Sequence, residues 1–82
     1  MKNEIKDLRK SIDRIDDEIA ELLNQRTEIA SKIICLKKNN SDNIEDTSRE
    51  NSIIERLCNN NPKIEKLIRD IYRRVFDWVK NR

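Results

Sequence analysis

Residues 3–38 read NEIKDLRKSIDRIDDEIAELLNQRTEIASKIICLKK, and their spacing decides the fold. Ile5, Leu8, Ile12, Ile15, Ile19, Leu22, Ile29, Ile33 and Leu36 recur at alternating intervals of three and four, with Arg26 filling the one gap. That is the a/d seam of a heptad helix, sustained for more than four heptads. No breaker interrupts it, so the sequence predicts one helix from about Asn3 to Lys38. Such a helix would be about 52 Å long. A compact chain of this size has a radius of gyration of only about 12 Å. Its own chain cannot cover that helix, so the seam calls for a partner.

The polar run Asn39–Asn43 reads as a loop. A second helix is expected near Thr47, because Thr47-Ser48-Arg49-Glu50 fits a capping box with Thr47 as N-cap and Glu50 as its third residue. Ile53, Ile54 and Leu57 give it an apolar stripe, and Asn59, Asn60 and Asn61 end it. Asn61 followed by Pro62 suits the N-cap and first turn of a third helix. Ile64, Leu67, Ile68, Ile71, Tyr72, Val75, Phe76 and Val79 would form its broad apolar face. The expectation is an all-α fold of long, short and medium helices forming a single domain over 1–82. Two chains would pair as an intertwined antiparallel homodimer.

Composition narrows the function. The 82 residues hold 18 basic and 16 acidic side chains, a formal net charge of +2. That near-balance argues against a nucleic-acid partner, which usually calls for a one-sided basic surface. No run is apolar enough for a membrane span, and no signal-peptide core opens the chain, so a soluble cytoplasmic protein is expected. Histidine is absent, which removes the commonest general base and the commonest metal ligand. Cys35 and Cys58 match no zinc spacing and read as small buried hydrophobes.

Arg26 is the residue that breaks the rule of its own helix. Alone it could be a snorkelling side chain or a register device. Lys37 follows 11 positions later, close to three full turns, and so shares its face. Two cations on one apolar face repel and lose hydration, and they persist best with an anion between them. Arg9 lies 17 positions before Arg26, roughly 25 Å along the axis, out of reach of the same small ligand. In an antiparallel pair, Arg9 of one chain would approach Arg26 and Lys37 of the other, giving two symmetric sites.

The ordered set Leu8, Arg9, Ile12, Asp13, Ile15, Asp16, then Leu22, Leu23 and Arg26, then Ile29, Ala30 and Ile33, then Lys37, then Asp46, Arg49 and Glu50 resembles the all-helical, type II chorismate mutases. It spans the first fifty residues at consistent spacing, and the helix lengths extend the likeness over nearly the whole chain. The resemblance implies that Arg9 is donated across the dimer to the other subunit's site. It implies that Arg26 binds a carboxylate, and that Lys37 contacts a carboxylate and the breaking ether oxygen. Asp46 and Arg49 would also bind substrate, and Glu50 would accept the ring hydroxyl. Glu50 also has the plainer reading of a capping-box carboxylate, and Arg49 that of a surface ion-pairing residue. Near the end the likeness departs: Val79 stands at the family's serine position, and the family's glutamine would fall at 83. Lys80 or Arg82 could substitute for that glutamine, but the favoured reading of both is solvent-facing.

The implied reaction is a Claisen rearrangement of chorismate to prephenate in aromatic amino-acid biosynthesis. It is pericyclic and needs no metal, cofactor or proton shuttle, which suits a chain without histidine. Bidentate arginines would fix a flexible dianion, and a cation at the ether oxygen would favour the transition state. An isochorismate pyruvate lyase of the same fold is the alternative enzyme. A weak mutase-like module needing a shikimate-pathway partner enzyme is another reading, since some family members are fused to or activated by one. A plain coiled-coil adaptor is the third.

Overall fold

In the computed structural model, which describes residues 2–43 and 45–81, three helices follow one another: α1 (Lys2–Asn39), α2 (Thr47–Asn60) and α3 (Glu65–Lys80). A single 3-10 turn, Pro62–Ile64, leads into α3. The all-α architecture and its long, short, medium order agree with the sequence pattern. No helix among the described residues is long and apolar enough to cross a membrane.

The heptad seam makes α1 continuous for 38 residues, about 57 Å at the α-helical rise. The molecule is accordingly elongated, 59 Å in its longest direction, with a radius of gyration of 16.5 Å. The buried core lies elsewhere. Ile53, Ile54 and Cys58 of α2 meet Ile68 and Phe76 of α3, with Leu57 and Tyr72 packed against them. Val75 and Val79 are buried beside this cluster on α3. The nine seam residues of α1 remain between 49% and 61% exposed. Full burial of each would contribute about 1.5–3 kcal/mol, so this chain alone leaves most of its apolar drive unused.

The end of α1 is built without glycine. Ser41 takes its place at φ 61°. Its amide donates to the Lys38 carbonyl at 3.2 Å, and the Asp42 amide donates to the Lys37 carbonyl at 2.7 Å. This pair of bonds is the Schellman closure, which satisfies the last orphan carbonyls of a helix. A side chain with a Cβ costs about 1–2 kcal/mol in the left-handed region.

Three local expectations are corrected. The N-cap of α2 is Asp46, not Thr47: the Arg49 amide donates to Asp46 Oδ1 at 2.9 Å. Either residue is a competent cap, but a carboxylate also meets the positive end of the helix dipole. Asn61 does not cap forward into the third helix. Its Nδ2 donates back to the Leu57 carbonyl at 3.0 Å, closing the end of α2. Cys58 is buried as expected, whereas Cys35 is exposed, lining an open groove of α1 beside Trp78 of α3.

Ser41→Gly is expected to raise the unfolding free energy by about 0.5–1 kcal/mol, by relieving the left-handed strain. Ser41→Val should lower it. Urea denaturation at one fixed chain concentration checks both.

Candidate functional site

A cavity of about 320 Å³ opens between the second half of α1, the start of α2 and the end of α3. Its apolar wall includes Ile33, Ile53, Phe76 and Val79, and its polar lining is Arg26, Asp46, Arg49, Glu50 and Lys80. A concave apolar space with a few convergent charged groups is the ordinary form of a small-molecule site.

Arg26 shares the cavity-lining side of α1 with Ala30 and Ile34, a half-buried face beside the exposed seam. Its guanidinium carbon lies 5.4 Å from the ring centres of both Tyr72 and Phe76. Those rings pack edge to face, 5.9 Å apart. Contact with aromatic faces stabilises a cation by about 0.5–2 kcal/mol and leaves its N–H donors available. Among the described residues, neither Arg26 nor Arg49 forms an ion pair.

The two carboxylates of the cavity are already engaged. Asp46 accepts from the Arg49 amide as the α2 cap. Because Asp46 is the cap, Glu50 falls outside the expected capping box and reaches α3 instead. Lys80 Nζ lies 3.1 Å from Glu50 Oε2 and 3.5 Å from Oε1. The same ammonium donates to Glu45 Oε1 at 3.2 Å. The Lys80 pKa is raised from its ordinary value, first by the hydrogen bond to Glu50. The stability it adds is therefore full below the ordinary lysine range and is lost only as pH rises through the higher folded value.

The chain matches the profile of the family described as chorismate mutase type II over residues 8–82. It belongs to that family. It is also 41% identical over 73 residues to a bifunctional chorismate mutase/prephenate dehydratase of Aquifex aeolicus (strain VF5). That match takes in 89% of this chain but 18% of the relative, so the chain spans under a fifth of its relative's length. No solved structure gives a significant match.

Of the residues singled out from the family pattern, Arg26, Asp46, Arg49, Glu50 and Val79 line this one cavity. Lys37 stands half-buried on α1, one turn beyond the Ile33 and Ile34 end of the cavity. Arg9 is exposed on the protruding half of α1, 17 residues from Arg26 and so about 25 Å away. Lys80 corrects the sequence reading: it is not solvent-facing, and its side chain is 23% exposed. The signal was its spacing, since Lys80 follows buried Phe76 by four residues and so shares that face of α3. Arg82, also read as solvent-facing, lies outside the described residues. Among the described residues, no three His, Cys, Asp or Glu side chains converge as metal ligands.

Asp46→Ala should lower the unfolding free energy by about 1 kcal/mol, and Asp46→Asn should retain most of it. Denaturant titration of the three proteins at equal concentration tests the cap assignment.

Proposed function

We propose that this chain rearranges chorismate to prephenate in aromatic amino-acid biosynthesis. The observation that carries the reading is the pair of guanidiniums, Arg26 and Arg49, lining one apolar-walled cavity without a carboxylate partner among the described residues. Arg26, half-buried beside apolar surface and unpaired among the described residues, loses hydration and favours an anionic ligand, and the exposed Arg49 adds positive potential at the rim. Family membership and the mutase named in the Aquifex relative support chorismate as that anion.

The substrate carries two carboxylates and must be held in a compact chair-like conformer. Arg26, fixed by the Tyr72 and Phe76 rings, supplies a planar fork for one carboxylate. Arg49 adds positive potential from the first turn of α2, and Asp46 holds that turn in place. Lys37 meets a carboxylate and the ether oxygen. As the carbon–oxygen bond breaks and the new carbon–carbon bond forms, negative charge grows on that oxygen. A preorganised ammonium there stabilises the transition state more than the ground state. Glu50 accepts the ring hydroxyl, and Val79 contributes apolar wall. No proton is exchanged with the protein, and no metal or cofactor enters the step.

The active form is an antiparallel homodimer in which the α1 seams pair, with residues 1–82 acting as one mutase domain. Arg9 of each chain then completes the other chain's site. The reading also places the chain among cytoplasmic enzymes. The second activity in the relative's name favours a further shikimate-pathway enzyme as its partner, whether tethered or free.

A direct assay of prephenate formation, with isochorismate run in parallel, tests this function. The wild-type chain should convert chorismate and be inhibited by a bicyclic dicarboxylate that mimics the transition state. Arg26→Ala and Lys37→Ala should each lose about 10²–10³-fold in kcat, with helix content by circular dichroism unchanged. Pyruvate release from isochorismate, with no prephenate from chorismate, would assign the chain to the lyase chemistry instead.

A further inference from the structure

We infer that Lys80 is a positioning residue, which orients the Glu50 carboxylate so that it can select substrates bearing the ring hydroxyl. This rests on the chorismate reading given above, but it concerns a side chain to which the family pattern assigns no role here.

The geometry is specific. Lys80 sits in the last turn of α3, and its ammonium approaches both oxygens of Glu50, at 3.1 and 3.5 Å. Both side chains are 23% exposed, far less than the other ion-paired side chains of the molecule, which range from 41% to 73%. A lysine ammonium has three donors, and a carboxylate has about four acceptor positions. Lys80 uses its donors on Glu50 and Glu45, which leaves Glu50 acceptor positions for a ligand hydroxyl. The bond to Glu45 ties the end of α3 to the connector between α1 and α2, so the ammonium is itself held from two sides.

Other charged groups lie around the pair, but none replaces Lys80. Arg26 of α1 stands over the Tyr72 and Phe76 rings. Asp46 is taken by the Arg49 amide, Arg69 by Glu65 at 3.0 Å, and Asp77 by Arg74 at 3.2 Å. Arg49 and Arg73 border the cavities that Glu50 lines and make no ion pair among the described residues. Without Lys80, the Glu50 side chain would have no hydrogen-bond partner among the described residues and would be free to leave its orientation. Its charge would also lie uncompensated beside a dianionic substrate, which costs affinity for any dicarboxylate. Selection for the hydroxyl is a separate effect, and it can be isolated as a ratio.

The test compares the bicyclic dicarboxylate analogue with the same compound lacking its hydroxyl, using calorimetric binding alongside turnover of chorismate. The proteins are wild type, Lys80→Met, Lys80→Arg, Glu50→Ala and the Glu50→Ala/Lys80→Met double variant. Wild type should prefer the hydroxyl-bearing compound by about tenfold or more, the scale of one hydrogen bond to a charged group. Lys80→Met should lose most of that preference, Lys80→Arg should restore it, and Lys80→Met should change the preference no further once Glu50 is gone.

An equal loss of affinity for both compounds that persists in the Glu50→Ala background would make Lys80 a direct carboxylate ligand and overturn the inference. A preference in Lys80→Met equal to wild type would overturn it as well. Wild-type binding with the full preference, but no prephenate formed, would overturn the proposed reaction and leave the Lys80 role standing. Binding of neither compound by wild type would overturn both.

Discussion

An a/d stripe along a 38-residue helix creates more apolar surface than the remaining residues can cover. The rest of the molecule follows from that mismatch. Burying a seam of this kind is worth roughly the whole net stability of a small domain, about 5–15 kcal/mol. The α2–α3 hairpin satisfies its own small core and braces only the second half of α1. The first half projects outward, carrying Arg9 with it. In the proposed dimer, this projection is what lets one chain reach the cavity of the other.

Charge placement then becomes a question of which cations have been neutralised. Most surface cations here meet solvent or a carboxylate one turn away, at a gain of a few tenths of a kcal/mol. In the cavity the pattern differs. Lys80 satisfies Glu50, Asp46 satisfies a helix terminus, and Arg26 and Arg49 are left over. The aromatic pair under Arg26 holds the guanidinium without consuming its donors. An anion entering such a site finds its hydrogen-bond donors already in position, so little reorganisation is needed as charge develops.

The seam of α1 was legible because helical periodicity is a local property, and the seam's length alone ruled out coverage by the same chain. The apolar stripes of α2 and α3 were legible for the same reason. Finer features were decided by competition between near-equals. Asp46 and Thr47 are adjacent competent caps, and one position of register determines whether Glu50 serves the helix end or the cavity. Asn61 could have capped forward or backward, and the 3-10 turn at Pro62 leaves it closing α2. Lys80 was misread because its partners lie 30 and 35 residues earlier in the chain. No local pattern encodes that crossing, although its spacing from Phe76 places it on the buried face. The exposure of Cys35 has the same origin as that of the seam around it, since apolar spacing announces a wish for burial and not the chain that provides it.

The account turns on a site assembled from two chains, and mixing two defective proteins tests that most directly. Arg9→Ala chains and Arg26→Ala chains, each inactive alone, would be unfolded together in equal amounts and refolded. Random pairing of symmetric dimers puts half of the molecules in mixed form, each with one site carrying both arginines. The account predicts recovery of about a quarter of the wild-type rate of prephenate formation. A mixture no more active than its two components would contradict it.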